Sequence, residues 1–151
     1  MGLEFPPGGS GSGFIPQFFI SSAITTQSSP LVSATFATFS NSPAFTFVPT
    51  ISGTYKVYSP IGMQDPFSGT TSTFRVFNTS GGATLLAESR ADFLASLTQT
   101  LDLNGFIQSV YTLVAGTSYV FDIQGLAAGG STIYLGAGTP NQQFYMFAEL
   151  V

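Results

Sequence analysis

The chain has 151 residues, of which three are Lys or Arg and seven are Asp or Glu, and it contains no histidine, no cysteine and no tryptophan. That composition excludes disulfides, thiolate metal sites and Ser–His catalysis. At 7% charged, against about 25% for an ordinary soluble domain, the surface must be built from hydroxyls, amides and aromatic area; such neutral tracts usually end up against another chain, the alternative being a monomer kept soluble by Ser, Thr, Asn and Gln.

The length suits one domain with one core. The net charge is −4, and the bases Lys56, Arg75 and Arg90 are too few and too scattered to neutralise a run of phosphates, so no nucleic-acid partner is expected. There is no basic leader, and no apolar run approaches the roughly 18 residues that span a bilayer, so neither a signal peptide nor a membrane partner is expected. The acids Glu4, Asp65, Glu88, Asp92, Asp102, Asp122 and Glu149 have no calcium-loop spacing, which predicts no metal and no cofactor.

Residues 1–31 read as an N-terminal arm and linker. Met1 to Gly13 has no period, and Leu3-Glu4-Phe5 ahead of a Gly/Ser run is also what a cloning remnant looks like. The run Gly8 to Gly13 follows no strand and lacks the Lys-Ser/Thr of a phosphate cradle, so it reads as linker. Phe14-Ile15-Pro16-Gln17-Phe18-Phe19-Ile20 is apolar and suited to anchor an arm.

Residues 32–151 read as a β domain. Phe45 and Phe47 alternate before Pro49, Tyr55 and Val57 after the turn at Ile51-Ser52-Gly53, and Phe74 and Val76 before the turn residues Asn78 to Gly82. Asn78-Thr79-Ser80 is formally a glycosylation sequon, but the same residues are what a turn needs. Ser89 with Asp92 resembles a capping box, with Leu94 and Leu97 at helical spacing, so one short helical turn competes there. Leu97, Gln99, Leu101 and Leu103 share one strand face, and Asn104-Gly105 predicts a type I′ hairpin with the return beginning at Phe106. After a turn at Ala115-Gly116-Thr117, Tyr119, Phe121 and Ile123 face one way and Asp122 the other. Thr132 to Leu135 is a strand. In the last strand, Gln143 to Val151, Phe144, Met146, Ala148 and Leu150 share one face and Tyr145 and Phe147 the other, which predicts an interior position in a sheet. Turns every ten or so residues favour a sandwich or barrel.

Phe45 to Val57, Leu113 to Phe121 and the terminal Phe144 to Leu150 together resemble the C1q and tumour-necrosis-factor-like jelly rolls. That family has a Gly-X-Tyr-X-Val strand, a strand led by an Ala-Gly turn and a terminal aromatic strand in the same order. The resemblance covers roughly residues 32 to 151. It implies an all-β jelly-roll β-sandwich and a homotrimer, with no enzymatic activity, in a virion structural role: a capsid decoration (cement) protein on the capsid surface. Its partners would be further copies of itself and the major capsid protein. Leu3, Phe5, Phe14, Ile15, Phe18 and Phe19 would then make the capsid or subunit contacts of the arm, and Tyr145 and Phe147 the trimer packing. An alternative within the same fold is the receptor-binding tip of a phage fibre or a collagen-like head, whose loops Gln64 to Ser72 and Gly125 to Ser131 would meet a host surface glycan. Phe74 to Ser89 and Tyr111 to Tyr119 are also similar to the β-sandwich modules appended to secreted bacterial peptidases, a carbohydrate-binding or peptidase-appended reading; those modules often carry acidic calcium ligands, and the acids here are isolated.

Overall fold

The computed structural model describes residues 17–25, 28–29, 31–65, 71–94, 101–127, 132–136 and 144–151. These residues form strands and turns with no helix among them. In chain order the strands are β1 (Phe18–Ile20), β2 (Ala37–Thr38), β3 (Phe45–Phe47), β4 (Gly53–Asp65), β5 (Thr71–Asn78), β6 (Thr84–Ser89), β7 (Ala91–Leu94), β8 (Leu101–Leu113), β9 (Tyr119–Ala127), β10 (Tyr134–Leu135) and β11 (Phe147–Leu150).

Two antiparallel sheets result. One runs β1-β11-β4-β8-β6, with β10 also on β4; the other runs β2-β9-β5-β7, with β3 also on β9. From β4 to β9 each successive strand lies in the opposite sheet, so the chain winds around the sandwich as a jelly roll does. Alternation explains the core. Tyr55, Val57 and Ile61 of β4, Phe74 and Val76 of β5, Ile107, Tyr111 and Leu113 of β8, and Tyr119, Phe121 and Ile123 of β9 are all buried and packed between the sheets. Their neighbours in each strand point outward because the side-chain period is two.

Buried hydroxyls tie the two layers together. Ser109 on β8 donates to the Val76 carbonyl at 2.8 Å, and the Tyr111 hydroxyl accepts the Asn78 N–H at 3.2 Å. Asn78 itself is buried, accepts from the Ser80 N–H at 2.9 Å and donates to the Gly81 carbonyl at 3.3 Å, so it builds the turn. Left-handed φ values follow at Gly81 and Gly82, and again at Gly116.

Two local expectations are overturned. Asn104 and Gly105 do not turn: they lie inside β8, opposite Gly62 and Ile61 of β4, in an unbroken ladder from Gly53↔Leu113 to Asp65↔Leu101. Gly105 is not among the glycines with positive φ. A two-residue turn preference is local and small, and long-range pairing along two 13-residue strands outweighs it. The capping-box stretch is not helical either; Ala91 to Leu94 pairs as β7 with Phe74 to Thr71 of β5, and residues 95–97 lie outside the described residues. β-Pairing overrides the capping signal there.

The terminal strand has the expected place. β11 sits between β1 and β4. The segment that leads into the sandwich is held by it: Phe18, Phe19 and Ile20 pair with Glu149, Ala148 and Phe147, and Ile24 is buried in the core.

Candidate functional site

Among the described residues, exposed aromatic area gathers on the outward side of the β1-β11-β4-β8 sheet. Because Tyr55, Val57, Ser59 and Ile61 point inward, Lys56, Tyr58 and Pro60 point out. Strand register then sets their neighbours. Phe18, Glu149, Lys56 and Val110 lie in one row across the sheet, and Ile20, Phe147, Tyr58 and Gln108 in the next. Phe106, opposite Pro60, extends the face on β8.

The rings touch in sequence. Phe18 is 5.8 Å from Phe147, Phe147 is 5.3 Å from Tyr58, and Tyr58 is 5.7 Å from Phe106, while Tyr145 adds a ring 6.3 Å from Phe147. Phe18 and Ile20 are each 54% exposed and Phe106 is 51% exposed. Phe147 and Tyr58 between them are half-buried, and apolar area exposed at both ends of such a run is costly in water.

Two charges sit in the middle of this face and cancel. Lys56 Nζ lies 2.5 Å from Glu149 Oε1 and 4.9 Å from the centre of the Tyr58 ring. The hydrogen bond to Glu149 raises the Lys56 pKa above its ordinary value, against a smaller opposing effect of burial. The face therefore carries no net charge from its described side chains, although the chain as a whole is at −4.

No family model and no curated protein matches the sequence. Among solved structures, the chain is similar to the tripod (BppUct-A-L) from the baseplate of bacteriophage Tuc2009, at 15% identity and a TM-score of 0.52, over 99% of this chain and 73% of that one. It is also similar to Eiger TNF from S. frugiperda, at 16% identity and a TM-score of 0.42, over 91% of this chain and 92% of that one. The fold, shared with the baseplate tripod, is an all-strand jelly-roll sandwich.

On this jelly roll the other two bases are also engaged. The Arg75 guanidinium lies between the rings of Phe36 and Phe77, at 4.0 and 4.1 Å, and donates to Gln124 Oε1 at 2.8 and 3.0 Å. Glu88 bridges Arg75, at 3.8 Å, and Arg90, whose guanidinium also faces the Phe36 ring at 5.0 Å. Burial lowers the Arg75 pKa from its ordinary value, an effect that Glu88 opposes. All three bases thus have an acid partner within the jelly roll, which leaves its surface without a basic tract. Among the described residues no group of acids could hold a metal ion.

Of the residues singled out from sequence, the jelly roll brings Phe18, Tyr145 and Phe147 onto one face. Phe19 points the other way and stacks on Phe47 at 4.6 Å. Leu3, Phe5, Phe14 and Ile15 lie outside the described residues, as do most of the two loops considered for a glycan. The face also contains Tyr58, Phe106, Ile20, Lys56 and Glu149, which sequence reasoning missed. Tyr58 and Lys56 were legible as the opposite phase of the Tyr55/Val57 alternation. Phe106 was hidden by the false Asn-Gly turn.

Proposed function

We propose that this protein is a homotrimeric structural module of a bacteriophage particle, acting by contact and joining its copies through the aromatic face. The observation that carries the reading is the continuous run of rings Phe18–Phe147–Tyr58–Phe106, exposed at its two ends and half-buried at Phe147 and Tyr58, with no net charge from the described side chains around it. Covering it removes apolar area from water, and the absence of a net charge spares the copies a local repulsion. Three copies are what the C1q/TNF-like resemblance implies, and joining them multiplies any weak attachment each makes. No step of this role calls for catalysis.

The likeness to a phage baseplate tripod over 99% of the chain favours a place in the tail, as a baseplate or fibre module whose far loops would meet a host surface glycan. A second placement is supported by the arm, whose only charged side chain is Glu4 and which is otherwise apolar and Gly/Ser-rich: a capsid decoration protein, with Leu3, Phe5, Phe14 and Ile15 on the major capsid protein. Immunogold labelling of particles of the encoding virus separates them. Label at the tail tip supports the first placement and label over the capsid the second; particles free of label reject the virion role.

A further inference from the structure

A charged pair in the middle of an apolar contact surface needs a reason. Lys56 and Glu149 are directly opposed across β4 and β11, in the row flanked by Phe18 and Val110. Their side chains are 32% and 31% exposed, so each already rests on its neighbours and only the outer part of the pair meets water. β11 and β4 are interior strands of the path β1-β11-β4-β8-β6, so a partner that covers the rings on both sides covers the pair as well. It cannot be left at a rim.

We propose that Lys56 and Glu149 form a closed pair, complete within one chain, that is buried intact under a second copy and sets which surfaces can associate. This rests on the self-association reading above. The occupant is the second copy of that reading, and charge permits it. At a chain net charge of −4, two copies repel, and a face whose only described charges neutralise each other lets a copy approach without adding to that repulsion. The pair also rejects wrong partners: a surface that brings an unmatched charge against it, or that draws one member away, leaves the other buried without a counterion, and a buried unpaired charge is far more costly than a missing exposed one.

Exposed and buried pairs respond differently to truncation, which makes the inference testable. Losing one member of an exposed pair changes little. Losing one member of a buried pair is strongly destabilising, whereas replacing both with neutral residues of similar size is tolerated. The parent, Lys56→Met, Glu149→Gln, the double variant Lys56→Met/Glu149→Gln and the reversed pair Lys56→Glu/Glu149→Lys are compared by sedimentation equilibrium, with circular dichroism confirming that each protomer is folded.

The inference expects each single variant to weaken association by about 100-fold or more, and the double and reversed variants to restore it. Single variants that associate like the parent would overturn the inference while leaving self-association standing. A double variant as weak as the singles would also overturn it, since the charges would then be reaching across to the neighbour. A parent that stays monomeric at every concentration rejects the self-association reading, and this inference with it.

Discussion

Asp122 shows how one residue sets a pH dependence in a chain without histidine. Its carboxyl is pushed above the ordinary aspartate value by burial, only partly offset by the hydroxyl of Thr79, which donates to it at 3.2 Å. A folded-state pKa above the unfolded one means that this group favours folding when protonated. That contribution is full below the ordinary aspartate value and is lost as pH rises through the raised one, so the ionised carboxylate is a cost at neutral pH. Asp122→Asn keeps an acceptor for Thr79 and removes the charge. Urea unfolding is expected to find the variant more stable than the parent at neutral pH, with the gap closing in acid; a gap that widens in acid would contradict the assignment. Arg75 offers a second test. Its flat guanidinium fits between Phe36 and Phe77 while serving Gln124, a geometry that an ammonium does not reproduce. Arg75→Lys is expected to lower stability by about 1–2 kcal/mol, read from the urea midpoint, and an unchanged midpoint would show that the stack contributes nothing.

Strands and their connections carry the next level. Tyr111 on β8 accepts the Asn78 N–H of β5 inside the sandwich, so Tyr111→Phe leaves that donor unpaired and is expected to cost about 1–3 kcal/mol of stability with no change in association. A change in assembly mass would instead place Tyr111 in the contact surface. β1 behaves differently because its two faces do different jobs. Phe19 stacks on Phe47 beneath it, while Phe18 and Ile20 stand on the outer face. Phe19→Ala is expected to cost about 2–4 kcal/mol and to weaken association as well, since β1 also carries part of the apolar face. Much of this level was legible in the sequence wherever alternation was strong: Phe45/Phe47, Tyr55/Val57, Phe74/Val76 and Tyr119/Phe121/Ile123 all face the core as their period required. Local signals mislead where a distant strand partner outweighs them. Asn104-Gly105 looks like a turn until Gly62 and Ile61 lie opposite it, and Ser89 with Asp92 looks like a cap until β5 pairs with the residues that follow. Register between strands far apart in sequence leaves no local mark, which is why Tyr58, Phe106, Lys56 and Glu149 could not be assembled into one face beforehand.

At the scale of the whole molecule, low charge and many aromatic residues resolve into a division of labour. One set of rings fills the sandwich, and another lies on the outside of one sheet around a neutralised ion pair. The three bases are all tied to acids of the same chain, so long-range steering of phosphates or acidic partners has little to work with. The proposed contact between copies makes use of the exposed apolar face. The most direct test is the mass in solution, by sedimentation equilibrium, of the parent and of Phe18→Asp/Phe106→Asp, which alters the two exposed rings at either side of the face without touching the core. The predicted result is a parent at three times the 15.8 kDa chain mass and a folded, monomeric variant. A parent that is monomeric at every concentration, or a folded variant that keeps the parent's mass, would contradict the account.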